Sequence, residues 1–251
     1  MGIKQTLNLS YSLAKANFKL RNEGSYLGIF WYLLNPLLMF SLLLLIFSDR
    51  LGNNISQYPL YLLLGIIMFN FFQKATLEST GSILRDNGLI KSINFPKSAL
   101  VFSIVLKTLF SHLFEIILFG IFLIIFKVSL VGVLLYLPLL VFFYIFVLGI
   151  SLILSAMTTY IVDMGNIWTF ALTLIWLGTP IFYAIQGQTK LFYINLFNPI
   201  YYFITIARDL TLYSKISPFW MIATMVIYSL LSIVIGILVF NKLKNKFAEL
   251  I

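Results

Sequence analysis

Two short runs place ionisable side chains inside apolar sequence. Asn70, Lys74 and Glu78 recur in steps of four, and so do Ser103, Lys107, Ser111 and Glu115, with Thr108 and His112 beside them. Steps of four fall on one helical face. Charged groups at membrane depth are costly, so such residues face a partner or a wet cavity rather than lipid. Two such faces on neighbouring antiparallel helices must turn toward each other, a second protomer or water. Paired about the loop between them, Lys74 and Lys107 are expected at similar depths. Two readings follow: a buried ion-pair network that fixes helix register, or a relay for coupled ion transport through Lys107, His112 and Glu115.

Other chemistry is poorly supplied. The eight acids (Glu23, Asp49, Glu78, Asp86, Glu115, Asp163, Asp209 and Glu249) are scattered and form no DxD pair. There is one histidine and no cysteine, so no cluster of metal ligands or thiol nucleophile is expected. A membrane-embedded transferase therefore lacks its usual constellation. No catalytic residue and no metal site is assigned.

The elements that must position these residues are membrane helices. Of 251 residues, 61% are hydrophobic and 10% charged, against about 25% charged in soluble domains. A crossing needs about 20 apolar residues. Six segments qualify: 29–48, 59–79, 98–126, 132–159, 164–185 and 217–240. The stretch 186–216 is apolar at its centre but interrupted by Asn195, Asn198 and Pro199, which suits a re-entrant pair of half-helices. The expected fold is all-α, a single polytopic domain over 1–251.

Charge orients it. With the N-terminus inside, the cytoplasmic side carries Lys4, Lys15, Lys19, Arg21, Arg85, Lys91, Lys97, Lys242, Lys244 and Lys246. The outer side carries Arg50, Lys127, Lys190, Arg208 and Lys215. The excess lies on the side that the positive-inside rule requires. Both termini are then cytoplasmic, and 241–251 is a basic tail. The net charge of +9 suits anionic head groups better than nucleic acid, because the cations sit at the ends of apolar runs. No cleavable signal peptide is expected, since the first 28 residues lack an apolar core.

Residues 8–22 place Leu9, Leu13, Ala16 and Leu20 on one face and Lys15, Lys19 and Asn22 on others. That predicts a basic amphipathic helix in the membrane interface. The loop 81–97, GSILRDNGLIKSINFPK, is charged and broken at Gly88 and Pro96; it is either a docking surface or a solvated connector. Aromatics make up 17% of the chain, beyond what interfacial belts need. Trp168, Trp176 and Tyr183 are expected on one broad face of a single helix, with Phe69 and Phe72 at mid-membrane. Aromatic faces stack on sugar rings as readily as on neighbouring helices.

Taken in order, these pieces resemble the transmembrane subunit of ABC type-2 exporters, in the branch that moves lipid-linked polysaccharides such as O antigen and teichoic acid. The resemblance rests on the amphipathic start leading into YLGIFWYLLNPLLM (26–39), on LIKSINFPK (89–97) and on NPIYYFITIARDL (198–210). It implies a homodimer in the bacterial inner membrane with a channel at the dimer interface. Two copies of a separate ATPase would bind the ATP and magnesium. The chain itself has no GxxxxGK[ST] loop and needs no cofactor. Carried over, ATPase contacts fall on Lys15, Lys19, Arg21, Arg85, Asp86, Lys91 and Asn94. Trp31, Tyr32, Phe69, Phe72, Trp168, Trp176 and Tyr183 become channel-lining candidates. Asn198, Pro199 and Tyr201 belong to an outer gate. Lys19, Arg21 and Arg85 are expected to draw a pyrophosphate-linked lipid head. A drug or small-lipid exporter of the same family is the nearest rival.

Overall fold

A computed structural model of the chain describes residues 3–22, 28, 30–52, 55–85, 88, 95–185, 187–244 and 247. Helix is the only regular secondary structure among them. The elements are α1 (Ile3–Asn22), α2 (Phe30–Leu51), α3 (Tyr58–Thr80), α4 (Ser82–Arg85), α5 (Ser98–Ile125), α6 (Val131–Thr158), α7 (Met164–Gly178), α8 (Thr189–Leu196), α9 (Pro199–Thr211) and α10 (Phe219–Leu243). Five of these, α2, α3, α5, α6 and α10, are long and apolar enough to cross a membrane. The chain is a polytopic helical membrane protein.

The fifth predicted crossing is shorter than its sequence suggests. Apolarity runs through 164–185, but α7 has only 15 residues, a rise of about 22 Å, against about 30 Å of hydrocarbon. Pro180 lacks an N–H and turns the residue before it away from helix; Thr179 is extended, with φ −85° and ψ 138°. The described residues from there to 188 are not helical, and Tyr183 lies in that link rather than on a helical face with Trp168 and Trp176.

The central helix is α3. From Tyr58 to Phe69 only Pro59 is more than slightly exposed, because α2, α5, α6, α7 and α9 all pack around it. Phe71 meets Phe143, and Phe72 meets Phe146, at ring-centroid separations of 5.5 and 6.0 Å. The longest contact in the bundle runs between α6 and α10. It exists because both helices are small where they meet. A β-carbon on Gly149 would strike the backbone of Ser232, and one on Gly236 would lie 2.5 Å from the Gly149 carbonyl. Lipid tails are as apolar as leucine, so close backbone packing rather than the hydrophobic effect joins membrane helices.

The first helix is rotated from its expected setting. Ala14 and Ser10 are its buried positions, while Ala16 and Leu20, assigned to the apolar stripe, are exposed. The reason is a protein neighbour: α1 lies along α5, with Tyr11 and Phe18 edge-on to Phe110 at 6.4 and 6.0 Å. Phe18 also stacks on Phe114 and on Tyr32 of α2. Lys4, Lys15 and Lys19 point away from this seam.

One end of the bundle gathers Lys97, Lys242 and Lys244 with the start of α1. There the Lys97 Nζ donates to the Lys244 carbonyl at 3.2 Å, and Thr6 and Leu7 lie beside Ser98 and Asn241. The opposite end carries α8 and α9. Asn198 between them is extended and caps α9, its Oδ1 accepting from Ile200 N–H at 3.1 Å.

Candidate functional site: a polar groove above an ion-pair ladder

A groove of about 330 Å³ opens between α2, α3 and α7. Asn35, Asn70, Gln73 and Thr173 give it polar walls, while Met39, Phe69, Leu172 and Trp176 give it apolar ones. Asn70 and Gln73 are three apart on α3 and share a face. Asn35 stands on α2 just before Pro36 and is exposed. These amides lie within segments long enough to cross hydrocarbon, where an unpartnered amide is expensive. The face that carries them therefore meets water or a polar ligand.

The aromatic candidates divide. Phe69 meets Trp176 edge-on at 4.9 Å and Phe72 at 6.1 Å. Trp168 is 6.1 Å from Phe72 and donates its indole N–H to Thr76 Oγ1 at 3.0 Å. These four rings form the seam between α3 and α7. Phe72 and Trp168 also line a second, largely apolar cavity of about 420 Å³ on the far side of α7, against Phe146, Ile150, Ile194 and Phe197. Tyr32 is elsewhere: 4% exposed, it is packed against Phe18 and Phe114. Its position on α2 suggests a pore-facing ring only while α1, the partner that covers it, is not recognised as a tertiary neighbour. Trp31 beside it is exposed.

Below the groove the two polar faces meet. Lys74 Nζ lies 3.1 Å from Glu115 Oε1, and Lys107 Nζ lies 2.5 Å from Glu78 Oε2. Each lysine thus stands opposite the other helix's glutamate, so the two lysines are not level with each other as expected. The antiparallel register would otherwise set like charges together. Glu115, 2% exposed, reaches His112 Nδ1 with its second oxygen at 3.2 Å; His112 Nε2 contacts the Tyr136 hydroxyl at 2.9 Å. Tyr136 completes the chain from α6 and is invisible in the sequence, where one tyrosine among fourteen carries no mark. Phe114, next to Glu115, packs against Tyr32 in the first turn of α2. The rung formed by Lys74 and Glu115 is therefore level with the beginning of α2.

Arg85 ends α4, exposed, and donates to the Glu78 carbonyl at 2.5 Å, closing the last turn of α3. The side chain of Arg21, and Asp86, Lys91 and Asn94, lie outside the described residues. Among the described residues, no group of three or more metal-binding side chains comes together.

The hairpin end is tied by hydrogen bonds that sequence reasoning misses. Arg208, counted as an outer charge, is 3% exposed. Its Nη1 donates to the Pro180 carbonyl at 2.6 Å, and its Nη2 to the Ile181 and Tyr61 carbonyls at 2.8 and 2.9 Å. The guanidinium stands 3.3 Å above the Tyr61 ring. Asn195 donates to the Gly178 carbonyl at 3.0 Å, and Asn198 to Thr179 Oγ1 at 2.7 Å. Pro199 opens α9, and Tyr201 is half-buried on it.

A bundle of apolar helices that lays amides and rings along an open groove, over a paired-charge ladder and under a tethered hairpin, has the build of a membrane permease. Residues 9–212 match the ABC-2 type transporter family, and the chain belongs to that family. Among its relatives, two Klebsiella pneumoniae proteins named O-antigen export system permease protein RfbA are 26% and 27% identical over 260 aligned positions, covering all of both chains. A Myxococcus xanthus protein of the same name is 25% identical over 183 positions, 72% of this chain and 70% of the relative.

Proposed function

We propose that the chain is the membrane subunit of an ATP-driven exporter of lipid-linked polysaccharide of the O-antigen kind. The groove of Asn35, Asn70, Gln73, Thr173 and Trp176 is the observation that carries this reading. Amides supply donors and acceptors for hydroxyls, and Trp176 supplies a face for a sugar ring. Lipid requires no amides on such a face. The full-length likeness to permeases named for O-antigen export supports the same cargo. It also favours a polymer over a drug or small lipid.

Two copies form a homodimer in the inner membrane, with the groove facing the shared seam and both termini in the cytoplasm. Withdrawal of Arg208 from the surface leaves the charge asymmetry steeper than a count of residues gives. A separate ATPase docks on the lysine-rich end, against α1 and the segment around α4. ATP-driven closure of the ATPase pair pushes both. Because Phe18 of α1 stacks on Tyr32 of α2, displacement of α1 reaches the first turn of a groove wall. Lys19, Arg21 and Arg85 draw the lipid phosphates to that rim.

The test is capture of the partner. The purified chain should retain a co-produced ABC ATPase, and hydrolysis should rise in the complex. Arg85→Glu with Lys15→Glu should abolish capture while the permease still purifies as a stable dimer. Full transport and full ATPase binding by that variant would defeat the docking scheme.

A further inference from the structure

The link after α7 is the one long stretch of the described bundle that packs among membrane helices without being helical itself. Non-helical backbone is tolerated at such depth only where protein or water satisfies its carbonyls. Here side chains from other elements do so. Besides the Arg208 and Asn195 bonds, Tyr61 Oη donates to the Pro180 and Tyr183 carbonyls at 3.2 and 2.9 Å, and Tyr58 Oη to the Phe182 carbonyl at 2.9 Å. Tyr183 turns back to donate to the Leu177 and Gly178 carbonyls at 3.0 and 2.9 Å. In transporters with broken helices, unwound carbonyls of this kind coordinate a cation.

Arg208 occupies the centre of that arrangement. It accounts for three carbonyls and one aromatic face, and no ion pair among the described residues involves it. Its pocket is shaped for a guanidinium: Gly65 leaves the space, and a β-carbon there would come within 2.6 Å of Nη2 and 3.3 Å of the Ile181 carbonyl. A planar fork spreads its N–H groups in one fixed geometry that spans carbonyls on two segments, whereas an ammonium is a compact point donor.

We propose that Arg208 is a built-in cation for a carbonyl site: it holds the chain broken after α7 and fastens link, hairpin and the start of α3 into one rigid cap. α7 itself is only lightly packed, with Met164 and Leu172 its buried positions and a cavity on either side. The cap is thus the fixed point from which α7 hangs, and Arg208 is a positioning residue for the groove wall. The proposal stands on this geometry and does not require the cargo assigned above.

The chain contains no cysteine, so one introduced at Ile181, which is wholly buried, reports seating of the link by itself. In full-length protein, Ile181→Cys should resist a small thiol reagent. Adding Arg208→Ala should raise its labelling rate about tenfold or more, the scale expected from losing charged hydrogen bonds. Guanidinium should restore protection; methylammonium, or Arg208→Lys in place of alanine, should not. Unchanged labelling in Arg208→Ala, or failure of guanidinium to protect a monodisperse variant, overturns the proposal. Should Arg208→Ala not fold, Gly65→Ala crowds the occupied site instead. Faster labelling that guanidinium cannot reverse supports the assignment, and a rate equal to the parent refutes it.

Discussion

At the residue scale, pairing matters more than charge. Lys74, Glu78, Lys107 and Glu115 stand out in the sequence because ionisable groups in apolar runs need a reason, and the structure gives one: they satisfy each other. A buried pair contributes little net stability, but removing one partner strands the other and costs about 3–5 kcal/mol. Lys74→Met should therefore lower the unfolding temperature in detergent sharply, because Glu115 stays buried. Lys74→Met combined with Glu115→Leu should recover most of the loss. A loss in the double variant equal to the sum of the losses in Lys74→Met and Glu115→Leu alone would show that the pair is not coupled. The same comparison speaks to ion coupling, since a proton relay requires Glu115 for transport even when the fold is rescued. Arg208 shows the limit of reading such residues singly. Arginines usually lie at a surface, and two of the three carbonyls that hold this one belong to a link whose apolar sequence reads as helix.

At the element scale, length and apolarity locate α2, α3, α5, α6 and α10 to within a few residues of their observed ends, because hydrocarbon thickness sets a length that sequence displays directly. The rest depends on partners. The apolar run of α7 continues past Gly178 while the helix does not; Thr179–Pro180 is the available signal. The face of α1 is misjudged from sequence because amphipathicity marks a buried stripe without saying what buries it, and Phe110 of α5 recruits Tyr11 and Phe18. Small residues in apolar helices are legible as composition, not as contacts. Gly149 and Gly120 look alike in sequence, yet a methyl added to the first would meet the backbone of Ser232, and one added to the second would have nothing within 4 Å. Gly149→Ala should separate α6 from α10 and lose at least about 2 kcal/mol, within the range for overpacked interfaces, read as reduced folded yield and earlier thermal unfolding. Gly120→Ala should behave as the parent. Parity between the two would remove close backbone approach from the account of this interface.

At the scale of the whole molecule, the parts divide into a rim, a groove and a cap. The rim is the lysine-rich end, where α1 and α4 offer cations and the Phe18–Tyr32 stack leads to α2. The groove lies between α2, α3 and α7, with its amides just above the ion-pair ladder. The cap is the hairpin of α8 and α9 fastened through Arg208. The order of these parts and the aromatic stock are legible in the sequence. Asn35, Gln73 and Thr173 are not, since single polar residues acquire meaning only when three helices bring them together. The central claim is that a glycan travels along this groove under the power of ATP. A photoreactive amino acid placed at Trp176 should become attached to glycan in membranes that contain the ATPase, the lipid-linked polymer and ATP. The same group placed at Ile235, exposed on the outside of α10, should capture lipid alone. Glycan bound equally at both positions, or at neither while export proceeds, would contradict the account.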